Sequence, residues 1–279
     1  SNNWLVSKLV YVFLEFTRNV PILLHIFFVY SIFLYVLPVP KKALSLSDTV
    51  FLTNRGFFIP SPVFEDGFGY VWVALLAAIT AVVAFVIWER KHQDKTGIKY
   101  PSFTISTAII IGLPLLTFFI SGSPMSLEIP VIKGFNFKGG TSIKPEYIAL
   151  TFALAYYTSC FIAEIVRSGI LAVSGGQSEA SHALGLSHGN TLRLVVIPQA
   201  LRVIIPPLAS QYLNLTKNSS LAIAIGYMDV VATIGGISLM QTGREMETMI
   251  FVLLTYLIIS LIISAFMNWF NKRMSIVER

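Results

Sequence analysis

Apolar stretches of about 20 residues recur along this chain, each long enough to cross the hydrocarbon core of a bilayer as a helix. The recurrence restricts the chain to an all-α, polytopic membrane fold. Composition enters only as a check: 12% of the 279 residues are charged and 55% are hydrophobic, whereas soluble domains carry roughly 25% charged residues. The mean hydropathy is +0.74. The pattern predicts six spans, near residues 20–37, 69–88, 103–120, 147–166, 206–228 and 248–270, within a single transmembrane domain covering residues 1–279. Polar segments rich in Pro, Gly and charge separate them.

Basic residues orient the spans. With residues 1–19 in the cytoplasm, the cytoplasmic segments hold Lys8, Arg18, Arg90, Lys91, Lys95, Lys99, Arg167, Arg193, Arg202, Lys272, Arg273 and Arg279. The outer segments hold Lys41, Lys42, Arg55, Lys133, Lys138, Lys144 and Arg244, and Lys217 lies inside a span. The cytoplasmic excess follows the positive-inside rule. The net charge of +6 therefore reflects membrane topology and not nucleic-acid binding. The chain starts Ser1-Asn2-Asn3-Trp4 without Met, which reads as an N-terminally incomplete sequence. Trp4, Leu5, Leu9, Val12 and Phe16 fall along one helical face. They fit an interfacial elbow helix or the lower end of a preceding span equally well.

Chemistry is sparse. Cys160 is the single cysteine, which rules out an intrachain disulfide and a thiolate metal cluster. His25, His92, His182 and His188 have no carboxylate or cysteine at ligand spacing, so neither a metal nor a cofactor is expected. No nucleophile, base or metal set converges near one membrane face, so no catalytic residue is assigned and the chain is not read as an enzyme.

The longest cytoplasmic segment, residues 174–200, carries the strongest signal. It reads Gly175-Gly176-Gln177-Ser178-Glu179-Ala180-Ser181-His182-Ala183-Leu184-Gly185-Leu186, then Thr191 to Pro198-Gln199-Ala200. Gly175 and Gly176 are expected to break the preceding span, Ser178 to cap a short helix, and Gly185 to end it in a left-handed turn. A helix too polar to insert and too short to span lies at the membrane surface, where a soluble partner can grip it. On spacing alone an ordinary surface connection fits as well.

This segment resembles the EAA loop of ABC-importer permeases: Glu-Ala-Ala, three residues, Gly, nine residues, Ile, any residue, Leu, Pro. Glu179-Ala180-Ser181, Gly185, Val195, Ile197 and Pro198 occupy that register without a gap. The departures are Ser181 for Ala, Val195 for Ile and Ile197 for Leu. Residues 18–24, 163–169 and 212–221 are similar to stretches of polar amino acid permeases. Gly134 to Gly140 and the pair of spans between residues 69 and 120 resemble the general L-amino acid permease subfamily, whose members carry further spans before the point where this sequence starts.

The resemblance implies a type I ABC-importer permease bundle in the bacterial inner membrane. It implies as partners a cytoplasmic ATP-binding subunit in two copies, a second permease subunit (the same chain or another), a periplasmic substrate-binding protein, membrane lipid and an amino acid substrate. Glu179, Ala180, Gly185 and Pro198 would then form the coupling element. The chain has no Gly-rich phosphate loop followed by Lys and Ser or Thr, so ATP hydrolysis belongs to a partner.

Lys217 needs a reason to lie in a span, since a lysine at mid-bilayer costs about 2.5–3.5 kcal/mol on insertion scales. Ser210, Asn214 and Lys217 stack on one helical face. This stripe is a candidate lining for the substrate pathway, with Lys217 meeting a carboxylate. Snorkelling, or pairing with a partner permease, is the structural alternative. Glu164 and Arg167, three apart, form a candidate ion pair that either braces a span or works a gate. Asp229, Arg244, Glu245 and Glu247 are expected on a solvated outer rim, with contact to a substrate-binding protein as the alternative. An ion-coupled secondary transporter is the rival function, although the spans lack the central acidic residue it needs.

Overall fold

The computed structural model describes residues 4–97 and 100–274; Ser1, Asn2, Asn3, Lys99 and Arg279, used above, lie outside them. In chain order the helices are α1 (Trp4–Asn19), α2 (Ile22–Tyr35), α3 (Gly69–Thr96), α4 (Ser102–Ile120), α5 (Pro145–Leu171), α6 (Gly175–Ala183), α7 (His188–Thr191), α8 (Ile197–Asn218), α9 (Leu239–Thr242) and α10 (Glu245–Met274). A π-helical stretch, Leu192–Val196, leads into α8, a 3₁₀ stretch, Ser219–Ile225, follows it, and a π-helical stretch, Val231–Ser238, precedes α9. Among the described residues five helical runs are long and apolar enough to cross a membrane, or six if the bent α1–α2 pair counts as one.

Local chemistry sets the helix ends. Pro145 opens α5 with Glu146 in its first turn. α10 carries Glu245 and Glu247 in its first turn and Lys272 and Arg273 in its last, complementing the helix dipole at both ends. Pro21 lacks an amide donor and forces extended backbone around it. There α1 and α2 meet at 104°, and α2 is shortened to 14 residues. The face carrying Trp4, Leu5, Leu9, Val12 and Phe16 is exposed on α1.

Two compact units divide the chain: residues 1–39, 53–56 and 143–279 form one, and 40–52 with 57–142 the other. In the first, the core joins Ile26 and Val29 of α2, Ala149, Leu150, Ala153 and Leu154 of α5, and Ala222 and Ile225 of the 3₁₀ stretch. Small side chains let these backbones approach closely, as suits a bilayer, where lipid removes the hydrophobic drive between helices. Gly169 marks the tightest crossing: a Cβ there would sit 2.3 Å from Ile204 Cγ1 of α8. A buried polar clasp closes the α1–α2 bend. His25 Nε2 lies 3.1 Å from the Thr17 carbonyl, and Tyr156 Oη lies 2.9 Å from His25 Nδ1 and 3.3 Å from Thr17 Oγ1.

The second unit holds the α3–α4 hairpin and most of the eight short strands among the described residues, in segments expected to be polar connections. They are β1 (Leu44–Leu46), β2 (Val50–Thr53), β3 (Gly56–Ile59), β4 (Ser61–Phe64), β5 (Met125–Glu128), β6 (Val131–Lys133), β7 (Asn136–Lys138) and β8 (Thr141–Ile143). β1, β2, β3 and β8 make one sheet in that order, while β4–β5 and β6–β7 are antiparallel pairs. The β6–β7 turn is Gly134-Phe135, with Lys133 opposite Asn136. Phe137 stacks on Phe51 at 4.5 Å and meets Phe58 at 4.9 Å, giving these strands a small aromatic core.

Candidate functional site: a surface helix and a membrane cavity

Residues 174–200 are more helical than expected. α6 begins at Gly175, so Gly175 and Gly176 open this helix; the preceding span ends earlier, at Leu171. Ser174, not Ser178, stands at the N-cap, without a side-chain cap bond. The 206–228 span also starts earlier, since α8 reaches back to Ile197 and takes in Pro198 and Gln199. Pro198 follows directly on the π-helical stretch Leu192–Val196, whose widened turn accommodates a residue without an amide donor.

α6 presents Glu179, Ala180 and His182 to solvent and turns Ser181 inward, where its hydroxyl donates to the Gln177 carbonyl at 2.6 Å. Gly185 closes the turn at φ +78° with open space where a Cβ would stand. The requirement for glycine there is conformational and not spatial. The Gln199 amide Nε2 donates to Gln177 Oε1 at 3.2 Å, tying α6 to the start of α8. His182 and His188 lie parallel on the surface, with ring centroids 6.2 Å apart.

Higher in the same unit a cavity of about 830 Å³ opens between α5, α8 and α10. Its chemistry centres on Asp229. One carboxylate oxygen accepts the Ala232 amide at 2.8 Å, and the other accepts the Tyr256 hydroxyl at 3.4 Å. Tyr147 and Tyr227, with centroids 5.8 Å apart, add two rings to the wall. Thr151, Thr216, Ser219 and Thr233 add hydroxyls. The expected rim position for Asp229 is therefore wrong, because the chain folds back after Gly226 and the carboxylate faces the cavity. The available signal was an acidic residue three positions before Ala232, the pattern of a helix N-terminus.

The structure does not bring the Ser210, Asn214 and Lys217 stripe into this cavity. All three are exposed on α8, while Leu215 and Thr216 on the other side of that helix line the cavity. Glu164 and Arg167 are paired at 3.1 Å on α5, with the arginine side chain 65% exposed. Among the described residues no group of three or more His, Cys, Asp or Glu side chains is placed to hold a metal ion.

Comparison with known proteins matches residues 96–276 to the family described as the binding-protein-dependent transport system inner membrane component. The general L-amino acid transport system permease protein AapQ of Rhizobium johnstonii is 50% identical across all of this chain and 70% of its own length. The putative amino-acid ABC transporter permease protein YhdX of Escherichia coli is 51% identical over all of this chain and 71% of its own. The glutamate/glutamine/aspartate/asparagine transport system permease protein BztB of Rhodobacter capsulatus is 44% identical over all of this chain and 72% of its own. The chain with this surface helix and this membrane cavity belongs to the family of binding-protein-dependent transport system inner membrane components.

Proposed function

We propose that this chain is the transmembrane permease subunit of an ATP-driven amino acid importer. Similarity along the whole of this chain to proteins named as amino acid permeases carries that reading over an ion-coupled transporter. On it the chain works with a cytoplasmic ATP-binding subunit in two copies, a second permease subunit and a periplasmic binding protein. ATP chemistry stays in the partner, and this chain supplies the path and the linkage to it.

The linkage starts at α6. Glu179 and Ala180 are exposed on a short helix that ends rigidly at Gly185, a shape suited to docking in a cleft of the ATP-binding subunit. Closure of that subunit would carry α6 with it. The Gln177–Gln199 bond passes the movement to α8, Pro198 stiffens the start of that helix, and the Gly169–Ile204 crossing engages α5. Both helices reach the cavity wall, so a displacement at the surface changes the cavity's shape. That provides the swing between inward-open and outward-open states.

The cavity suits a small zwitterion. Asp229 offers a carboxylate to an ammonium group, Tyr147 and Tyr227 offer ring faces to the same charge, and the hydroxyls accept or donate along a polar side chain. Ser210, Asn214 and Lys217 face away from this chain's own cavity and would meet the second permease subunit, where Lys217 can receive the substrate carboxylate. Glu164 and Arg167 serve as a brace on α5.

Uptake of radiolabelled amino acids by cells expressing the full transporter tests this. Gly185→Val forces a β-branched residue into left-handed backbone, a strain of about 1–2 kcal/mol. The variant is expected to assemble but to lose most ATP-dependent uptake; normal uptake would reduce the loop to a connector. Lys217→Met is expected to weaken uptake by about tenfold, the size of one lost charge-assisted hydrogen bond. Unchanged affinity and rate would remove Lys217 from the pathway.

A further inference from the structure

The charged end of α3 is the feature that the transport reading leaves unused. At 28 residues and 1.5 Å per residue, α3 is about 42 Å long, against a hydrocarbon core of about 30 Å. Its last turns therefore extend beyond the bilayer core. Trp88 is 50% exposed where such a helix leaves the core, the depth that tryptophan prefers. Residues 88, 91, 92 and 95 share one helical face. On that face the His92 ring stacks on Trp88 at 4.9 Å and 15°, and Tyr100 packs against both, at 5.9 Å from Trp88 and 6.1 Å from His92. Lys91 and Lys95 are exposed one turn apart beside this ring wall.

Of the two carboxylates on this end of α3, Glu89 is buried, 5% exposed, and accepts the Ser102 hydroxyl of α4 at 2.5 Å. Asp94 is exposed, four residues after Arg90 and three after Lys91, so a single exposed carboxylate stands among Arg90, Lys91 and Lys95 and this end keeps a net positive charge. The end of α10 differs. There Trp269 is covered by the Arg273 guanidinium at 5.5 Å, so the cation is engaged by its own ring. On α3 the tryptophan is covered by His92 instead, and both lysines point outward.

We propose that this face of α3 is a headgroup site for an anionic phospholipid. Lys91 and Lys95 hold the phosphate, and Trp88, His92 and Tyr100 seat the glycerol region at the interface. Charge complementarity and depth choose this occupant: two ammonium groups lie just beyond an interfacial tryptophan, on a hairpin whose α4 window is 0% buried within the chain. Each lysine near an anionic surface is expected to contribute about fivefold in association.

The test uses the assembled transporter in nanodiscs of phosphatidylglycerol or of phosphatidylcholine, at 0.15 M salt. Amine acetylation read by mass spectrometry should show Lys91 and Lys95 protected in phosphatidylglycerol and reactive in phosphatidylcholine. Equal reactivity in both lipids would overturn the site. Protection in both would also overturn it, assigning the face to a partner chain. Spin-labelled phosphatidylglycerol should be immobilised by the native protein over phosphatidylcholine. Lys91→Gln/Lys95→Gln should lose that preference by tenfold or more, and Lys91→Arg/Lys95→Arg should keep it. Preference retained by the glutamine pair would reject the proposal.

Discussion

The α3–α4 hairpin and the α5–α8 pair are both made of apolar helices of spanning length, yet they use that apolarity in opposite ways. In α5, 33% of the most apolar window is enclosed by the chain, and in α8 with its flanking turns 22%. In α3 the share is 11% and in α4 none. Hydropathy runs the other way: 2.6 and 2.2 for α3 and α4, against 1.6 and 1.5 for the packed pair. In a bilayer, the most apolar helices have the least reason to leave lipid. In α5 the buried residues include Ala149, Ala153, Thr158 and Gly169, small enough for close helix contact. The enclosed α5–α8 pair is thus the less hydrophobic one.

The tightest crossing should show the largest effect. Gly169→Val should destabilise the protein by about 3 kcal/mol, near the upper end for overpacking, because its side chain would collide with Ile204. Gly112→Ala in α4, where nothing lies within 4 Å of a Cβ, should change nothing or stabilise slightly. Equal effects on thermal unfolding in nanodiscs would show that the hairpin is as tightly packed as the body. Next in size is Ser102→Ala, which strips buried Glu89 of its hydroxyl partner. A loss of about 2 kcal/mol, the range for a hydrogen bond to a charged group, should appear as faster amide exchange confined to the hairpin.

Tyr156→Phe sharpens the contrast from the other side. It removes the hydroxyl shared by His25 and Thr17 and should cost about 1 kcal/mol. Increased proteolysis near Val20-Pro21 would report a loosened bend, whereas an unchanged cleavage pattern would mean that Pro21 alone holds it. The smallest effect belongs to Glu164→Gln. An exposed pair three residues apart contributes under about 1 kcal/mol, so stability should barely move. A drop in uptake without a drop in stability would make the pair a gate instead of a brace.

Much of the surface helix was legible because its signals are local. Gly185 in left-handed backbone, a short helix before it and the register through Pro198 all depend on residues within twenty positions of one another. The helix start was misplaced because two glycines normally end helices; Gly175 and Gly176 form a first turn here, next to the Gln177–Gln199 tie that no local pattern announces. The cavity was not legible. Asp229, Tyr256 and Tyr147 are separated by up to about a hundred residues, and their convergence depends on how α5 and α10 pack.

Legible in the residues themselves were the repeated apolar segments of spanning length, the distribution of charge between them and the short helix that ends at Gly185. These follow from composition and short-range spacing, which act before the helices meet. Packing alone pairs the segments around residues 44–64 and 125–143 as strands, turns Asp229 to a cavity and leaves Lys217 facing away from it. In lipid, transfer energies fix whether a helix inserts, but the side that a residue presents to its neighbours is set by the close fit of small side chains, and that fit exists only after packing.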